Sequence, residues 1–129
     1  MHEKKFSGKK VLVAEDYPIN QEVSHDILQI FGCEVDIAEN GSEVLEKYRK
    51  NSYDIIFMDI QMPEKDGYIA TQEIRELEKG SKKKSIIVAM TANALLGDRE
   101  KCLQAGMDDY IGKPIEISKI KEILEKYLH

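Results

Sequence analysis

Five times along the chain a short apolar run gives way to a stretch whose apolar residues recur at helical spacing, and few folds accept that order. The runs are Val11-Leu12-Val13-Ala14, Val35-Asp36-Ile37-Ala38, Ile55-Ile56-Phe57-Met58, Ile86-Ile87-Val88-Ala89-Met90 and the weaker Tyr110-Ile111. Four are rich in β-branched residues, and three are nearly continuous in apolar character, as strands buried on both faces are. Asp36 interrupts the second run and places it at an edge. Between the runs the period becomes that of an amphipathic helix. Expected stripes are Ile19, Val23, Ile27, Ile30 and Phe31; Val44, Leu45 and Tyr48; Tyr68, Ile69, Ile74 and Leu77; Leu95, Leu96, Arg99, Cys102 and Leu103; and Ile117, Ile120, Ile123, Leu124 and Tyr127. Pro18 suits a first helical turn, Gly32 and Gly106 suit helix ends, and Asp66 can cap the third helix. Strand–helix alternation of this kind predicts an α/β fold: a doubly wound, five-stranded parallel (βα)5 sheet with right-handed crossovers, its first, third and fourth strands central.

Composition narrows the function classes. The chain has 129 residues, room for one domain. Its 19 basic and 24 acidic residues leave a net charge of -5, which argues against direct nucleic-acid binding. No apolar run approaches the ~18–20 residues of a membrane span, so no membrane contact by this domain is expected. The polar start MHEKKFSGKK lacks the apolar centre of a secretion signal. Cys33 and Cys102 stand far apart without a CxxC pattern and read as reduced thiols of a cytoplasmic protein. Lys79-Gly80-Ser81-Lys82-Lys83-Lys84 reads as a solvated loop.

In an open parallel sheet, ligands bind outside the carboxyl ends of the strands. The first strand runs into Glu15-Asp16, the third into Asp59, the fourth into Thr91, and the fifth is followed by Lys113-Pro114. Three carboxylates, a hydroxyl and an ammonium therefore leave one edge of the sheet. Like charges ~4 Å apart repel by about 1 kcal/mol in water and about 4 kcal/mol at a protein surface, so the cluster needs a counter-charge. A divalent cation with oxygen ligands supplies one, and Mg²⁺ commonly takes one or two carboxylates together with a phosphate oxygen. Lys113 and Thr91 could hold that phosphate, and one carboxylate could be a nucleophile. The spacing thus predicts a Mg²⁺-dependent phosphate site.

The stretches Val11-Leu12-Val13-Ala14-Glu15-Asp16, Met58-Asp59-Ile60-Gln61-Met62-Pro63 with Asp66-Gly67, Ala89-Met90-Thr91-Ala92 and Gly112-Lys113-Pro114 resemble the receiver domain of two-component response regulators. Asn20, Gln61-Met62-Pro63, Met90-Thr91-Ala92-Asn93-Ala94 and Gly106-Met107-Asp108-Asp109-Tyr110-Ile111 are most similar to receivers of hybrid sensor histidine kinases and multistep phosphorelays. The resemblance implies a receiver-like, flavodoxin-like sheet of order 2-1-3-4-5, with residues 1–8 an N-terminal extension and 9–129 the receiver. It implies that Asp59 accepts a phosphoryl group from a phosphohistidine. Asp16, Asp59 and the Gln61 carbonyl would ligate Mg²⁺, with Glu15 acting through a water. Thr91 and Lys113 would hold the phosphoryl oxygens, and the bond before Pro114 would be cis. Thr91 and Tyr110 would form the switch, and Gln61 and Asn93 would tune hydrolysis. The implied domain assists its own phosphorylation and dephosphorylation. Its partners would be a histidine kinase or a histidine phosphotransfer domain, with a second copy able to dock on the fourth helix–fifth strand–fifth helix face. Tyr17 departs from the pattern, since phosphorelay receivers commonly carry Asn there; that bears on partner fit. Lys65 stands where the family often has an apolar residue.

The chain ends at the fifth helical pattern, and the expected parent is a hybrid kinase, itself able to be membrane-anchored. The alternative is a stand-alone cytoplasmic response regulator. A haloacid-dehalogenase-type phosphatase would want a second Asp where Gln61 stands. A flavodoxin-type protein would not present an acidic Glu15-Asp16-Tyr17-Pro18 loop to a phosphate. His2, His25 and His129 offer no rival chemistry.

Overall fold

The computed structural model describes residues 5–80, 83–92 and 98–128. Five strands, β1 (Lys10–Ala14), β2 (Glu34–Ala38), β3 (Ile55–Asp59), β4 (Ile86–Thr91) and β5 (Asp109–Gly112), alternate with five helices, α1 (Pro18–Ile30), α2 (Gly41–Lys50), α3 (Gly67–Glu78), α4 (Asp98–Ala105) and α5 (Ile117–Tyr127). All strand pairs are parallel, in the order β2-β1-β3-β4-β5. The expected order and the edge position of the Asp36 strand both hold.

Strand alternation divides the core into two layers. Val11, Val13, Ile55, Phe57, Val88 and Met90 point to one face, where Leu28 and Phe31 at the α1 end and Ile120 and Leu124 of α5 cover them. Leu12, Ile56, Met58, Ile87 and Ala89 point to the other, against Val44, Leu45 and Tyr48 of α2, Ala70 and Ile74 of α3 and Cys102 of α4. Both cysteines are buried, one in each layer, so the sheet stands between them. Residues 5–8 form a turn that delivers Phe6 into the first layer, edge-on to Phe31 at 6.3 Å.

The helix boundaries follow local chemistry. Asn40 accepts from the Glu43 amide at the start of α2, and Asp66 accepts from the Ile69 amide at the start of α3. Pro18 occupies the first turn of α1. Gly32 and Gly106 follow α1 and α4 at φ of 87° and 103°, a conformation that glycine adopts without a Cβ penalty.

Several stripe assignments need correction. On α1 the sheet receives Ser24, Ile27 and Leu28, with Phe31 just beyond, while Ile19, Val23 and Ile30 are exposed. The two sets occupy adjacent helical faces, and apolar spacing cannot tell which face the sheet takes. On α3 it is Ala70, Thr71 and Ile74 that turn inward, leaving Ile69 exposed. Ile117 on α5 and Leu103 on α4 are likewise exposed. Leu95 and Leu96 lie outside the described residues, as do Asn93, His2, His129 and part of the Lys79–Lys84 run. Among the described residues no helix is long and apolar enough to cross a membrane.

Candidate functional site

The parallel sheet carries four strand ends to one rim, and the loops beyond them are fixed by backbone bonds. The Glu15 amide donates to the Ala38 carbonyl at 2.9 Å, the Ile60 amide to Met90 at 3.3 Å, the Gly67 amide to Ile60 at 2.9 Å and the Lys113 amide to Thr91 at 2.9 Å. Gly67 is required here by close approach: a Cβ at this position would lie 2.4 Å from the Asp59 carbonyl oxygen. The Lys113–Pro114 peptide bond is cis.

Oxygen atoms of Glu15, Asp16 and Asp59 lie within 4.8 Å of one another. Glu15 and Asp59 are buried and Asp16 is exposed at the mouth. Lys113 Nζ bridges the buried pair, 3.0 Å from Glu15 Oε1 and 2.9 Å from Asp59 Oδ2. Burial opposes charge on that ammonium, yet its hydrogen bonds to Asp59 and Glu15 outweigh the burial and raise its pKa above the ordinary lysine value. The second Glu15 oxygen accepts from the Tyr17 amide at 3.1 Å, and Asp59 Oδ1 accepts from the Gln61 amide at 3.1 Å. Gln21 Nε2 donates to the Glu15 carbonyl and so ties α1 to the same loop.

A cleft of about 280 Å³ opens over Asp59, lined by Thr91, Ala92, Gln61, Tyr68, Lys101 and Lys113 among others. A wider, shallower one adjoins it over Asp16, Gln61, Met62, Pro63 and Asp66. Of the residues singled out from sequence, Glu15, Asp16, Asp59, Gln61, Thr91 and Lys113 are thus drawn together. Tyr110 is not among them. It is half-buried on β5, paired with Ala89, and faces a groove between α4 and α5 that also contains Asp109 and Lys126. Tyr68 and Lys101 reach the cleft unforeseen. Tyr68 counts as core by helical spacing, and Lys101 gives no sequence signal, since its approach depends on how α4 is set against the sheet.

The donor set suits a hard divalent ion. Three carboxylates against one ammonium leave two negative charges uncompensated, and every candidate ligand atom is oxygen. The residues present therefore fit Mg²⁺.

The sequence model of the response regulator receiver domain matches residues 11–125. Hybrid signal transduction histidine kinase L of Dictyostelium discoideum is 48% identical over 122 residues, which cover 92% of this chain and 7% of that protein. The chain therefore spans a small part of this relative's length. The receiver domain of sensor histidine kinase PA1611 from Pseudomonas aeruginosa, solved with a magnesium ion coordinated in its active site cleft, is 42% identical with a TM-score of 0.84, covering 94% of this chain and 98% of that one. The receiver domain of the Saccharomyces cerevisiae response regulator Ssk1, solved with the histidine phosphotransfer protein Ypd1, is 32% identical with a TM-score of 0.87, covering 95% and 90%.

Proposed function

Because the chain belongs to the response regulator receiver domain family, we propose that it is the phosphoacceptor module of a phosphorelay, housed in a hybrid histidine kinase and loaded on Asp59. The observation that carries this reading is the Lys113 ammonium shared between buried Glu15 and Asp59, with Asp16 completing the acidic cluster at the mouth.

Asp16, Asp59 and the Gln61 carbonyl would hold Mg²⁺, with Glu15 behind them. When bound, the ion neutralises charge on the transferring group, the main demand of phosphoryl transfer. The chain's own residues do the rest. An Asp59 carboxylate oxygen attacks the phosphorus of a phosphohistidine. The new O–P bond forms as the P–N bond breaks, and the electron pair leaves with the imidazole nitrogen. Lys113, already at Asp59, pairs with a phosphoryl oxygen, and the Thr91 hydroxyl, lining the same cleft, donates to another. Thr91 moving toward the phosphoryl group would free space for Tyr110, two positions back across the β4–β5 register, to turn inward and reshape the α4–β5–α5 face. Gln61 and Asn93 would set the rate at which water reaches the acyl phosphate.

The partner is a histidine phosphotransfer domain or kinase. Its docking face is the exposed apolar strip of α1, Ile19, Val23 and Ile30, continuous with exposed Tyr17 beside the Glu15 loop. Such a strip next to a phosphoryl site suits an apolar partner surface that presents a histidine. It also gives Tyr17 a role as an aromatic contact.

The test is transfer from a phosphohistidine donor in the presence of Mg²⁺. Wild type is expected to take up label that hydroxylamine removes, as it does from an acyl phosphate, and Asp59→Asn is expected to take up none. Undiminished labelling of Asp59→Asn would refute the assignment.

A further inference from the structure

A second lysine lines the cleft over Asp59. Lys101, on α4, lines the same 280 Å³ space as Asp59, Thr91 and Lys113. It is exposed, and no carboxylate pairs with it among the described side chains. The other lysine that lines this cleft, Lys113, is held by Glu15 and Asp59. A long, exposed lysine side chain keeps much of its rotamer entropy until an anion fixes it.

The charge balance of the cleft bears on which anion that is. Lys113 is already engaged by two carboxylates. With Mg²⁺ bound and a phosphoryl group on Asp59, Glu15, Asp16 and the acyl phosphate would carry about four negative charges against about three positive ones from the ion and Lys113, which leaves room for a further cation. The cleft wall contributed by α4 is where Lys101 stands. We propose that Lys101 is a second phosphoryl-binding lysine, pairing with the group once it is on Asp59 and so tying α4 to the loaded state. This inference rests on Asp59 being the phosphoacceptor. It assigns α4 an electrostatic link to the site that is independent of Thr91 and Tyr110.

The test uses beryllofluoride with Mg²⁺ as a phosphoryl mimic, titrated into wild type, Lys101→Ala, Lys101→Glu and Lys101→Arg and followed by NMR. Exposed ion pairs are modest, so Lys101→Ala is expected to weaken half-saturation about two- to fivefold, with Lys101→Glu weaker still and Lys101→Arg close to wild type. The gap between wild type and Lys101→Glu is expected to narrow at high salt, as screened charge requires. Thermal stability without the mimic is expected to be the same for wild type and Lys101→Ala, which separates a binding role from a structural one. A wild type that responds while Lys101→Glu matches it would overturn this inference alone. A wild type that does not respond to beryllofluoride would overturn the Asp59 assignment and this inference with it.

Discussion

The Lys113 ammonium holds apart two buried carboxylates that would otherwise face one another. Breaking a buried pair from one side leaves an uncompensated charge, at a cost of about 2–4 kcal/mol for a site that keeps some contact with water. Lys113→Ala is therefore expected to lower unfolding free energy by that amount in urea melts without divalent ions, and Mg²⁺ is expected to restore part of the loss. Equal stability of the variant and wild type, with no response to Mg²⁺, would show that the three side chains are not coupled. At this scale the sequence was informative wherever a residue directly follows a strand. Glu15, Asp16, Asp59, Thr91 and Lys113 each leave an apolar run, and a parallel sheet brings such exits together by construction. Tyr68 and Lys101 approach from helices, where position depends on the packing angle, and no local pattern records that angle.

The helices were legible as elements and less so as faces. On α1 the apolar residues cover more of the circumference than the sheet can bury, so Ile19, Val23 and Ile30 stay outside. Surplus apolar area beside the site is what the docking assignment uses. Ile19→Asp together with Val23→Asp is expected to slow transfer from a histidine phosphotransfer protein at least tenfold, the scale of losing a central apolar contact. Loading by a small phosphoramidate, which needs no docking face, is expected to be unchanged. Equal slowing of both donors would point instead to a disturbed Glu15 loop, to which Gln21 of the same helix is bonded. Strands were read more surely: the apolar continuity of β1, β3 and β4 matches their burial on both faces, and Asp36 marks the edge strand, where it accepts a 2.6 Å hydrogen bond from Tyr53.

Across the whole molecule, several weak acids are held in their protonated form by the fold. Burial, reinforced by nearby Asp54, pushes the Cys33 thiol up to about 11 from 9.0. Burial and a hydrogen bond to Glu78 push Tyr48 up to about 12 from 10.0. Burial and the bond to Asp36 raise Tyr53 as well. The unfolded chain releases these protons first, so the stability they contribute is present below their ordinary values and lost as pH rises through the folded ones. Unfolding free energy is expected to fall steadily above about pH 9, a fall that Tyr53→Phe makes shallower; a flat profile from neutral pH to 11 would contradict the packing of both core layers.

The proposed function turns on capture of a phosphoryl group by one carboxylate among three. Loading from a phosphohistidine donor with Mg²⁺, followed by borohydride reduction and peptide mass analysis, locates the acyl phosphate directly, because reduction converts the modified aspartate to homoserine. Homoserine at position 59 is the expected result. Conversion at position 16, or a phosphoryl group found on a residue away from this rim, would contradict it.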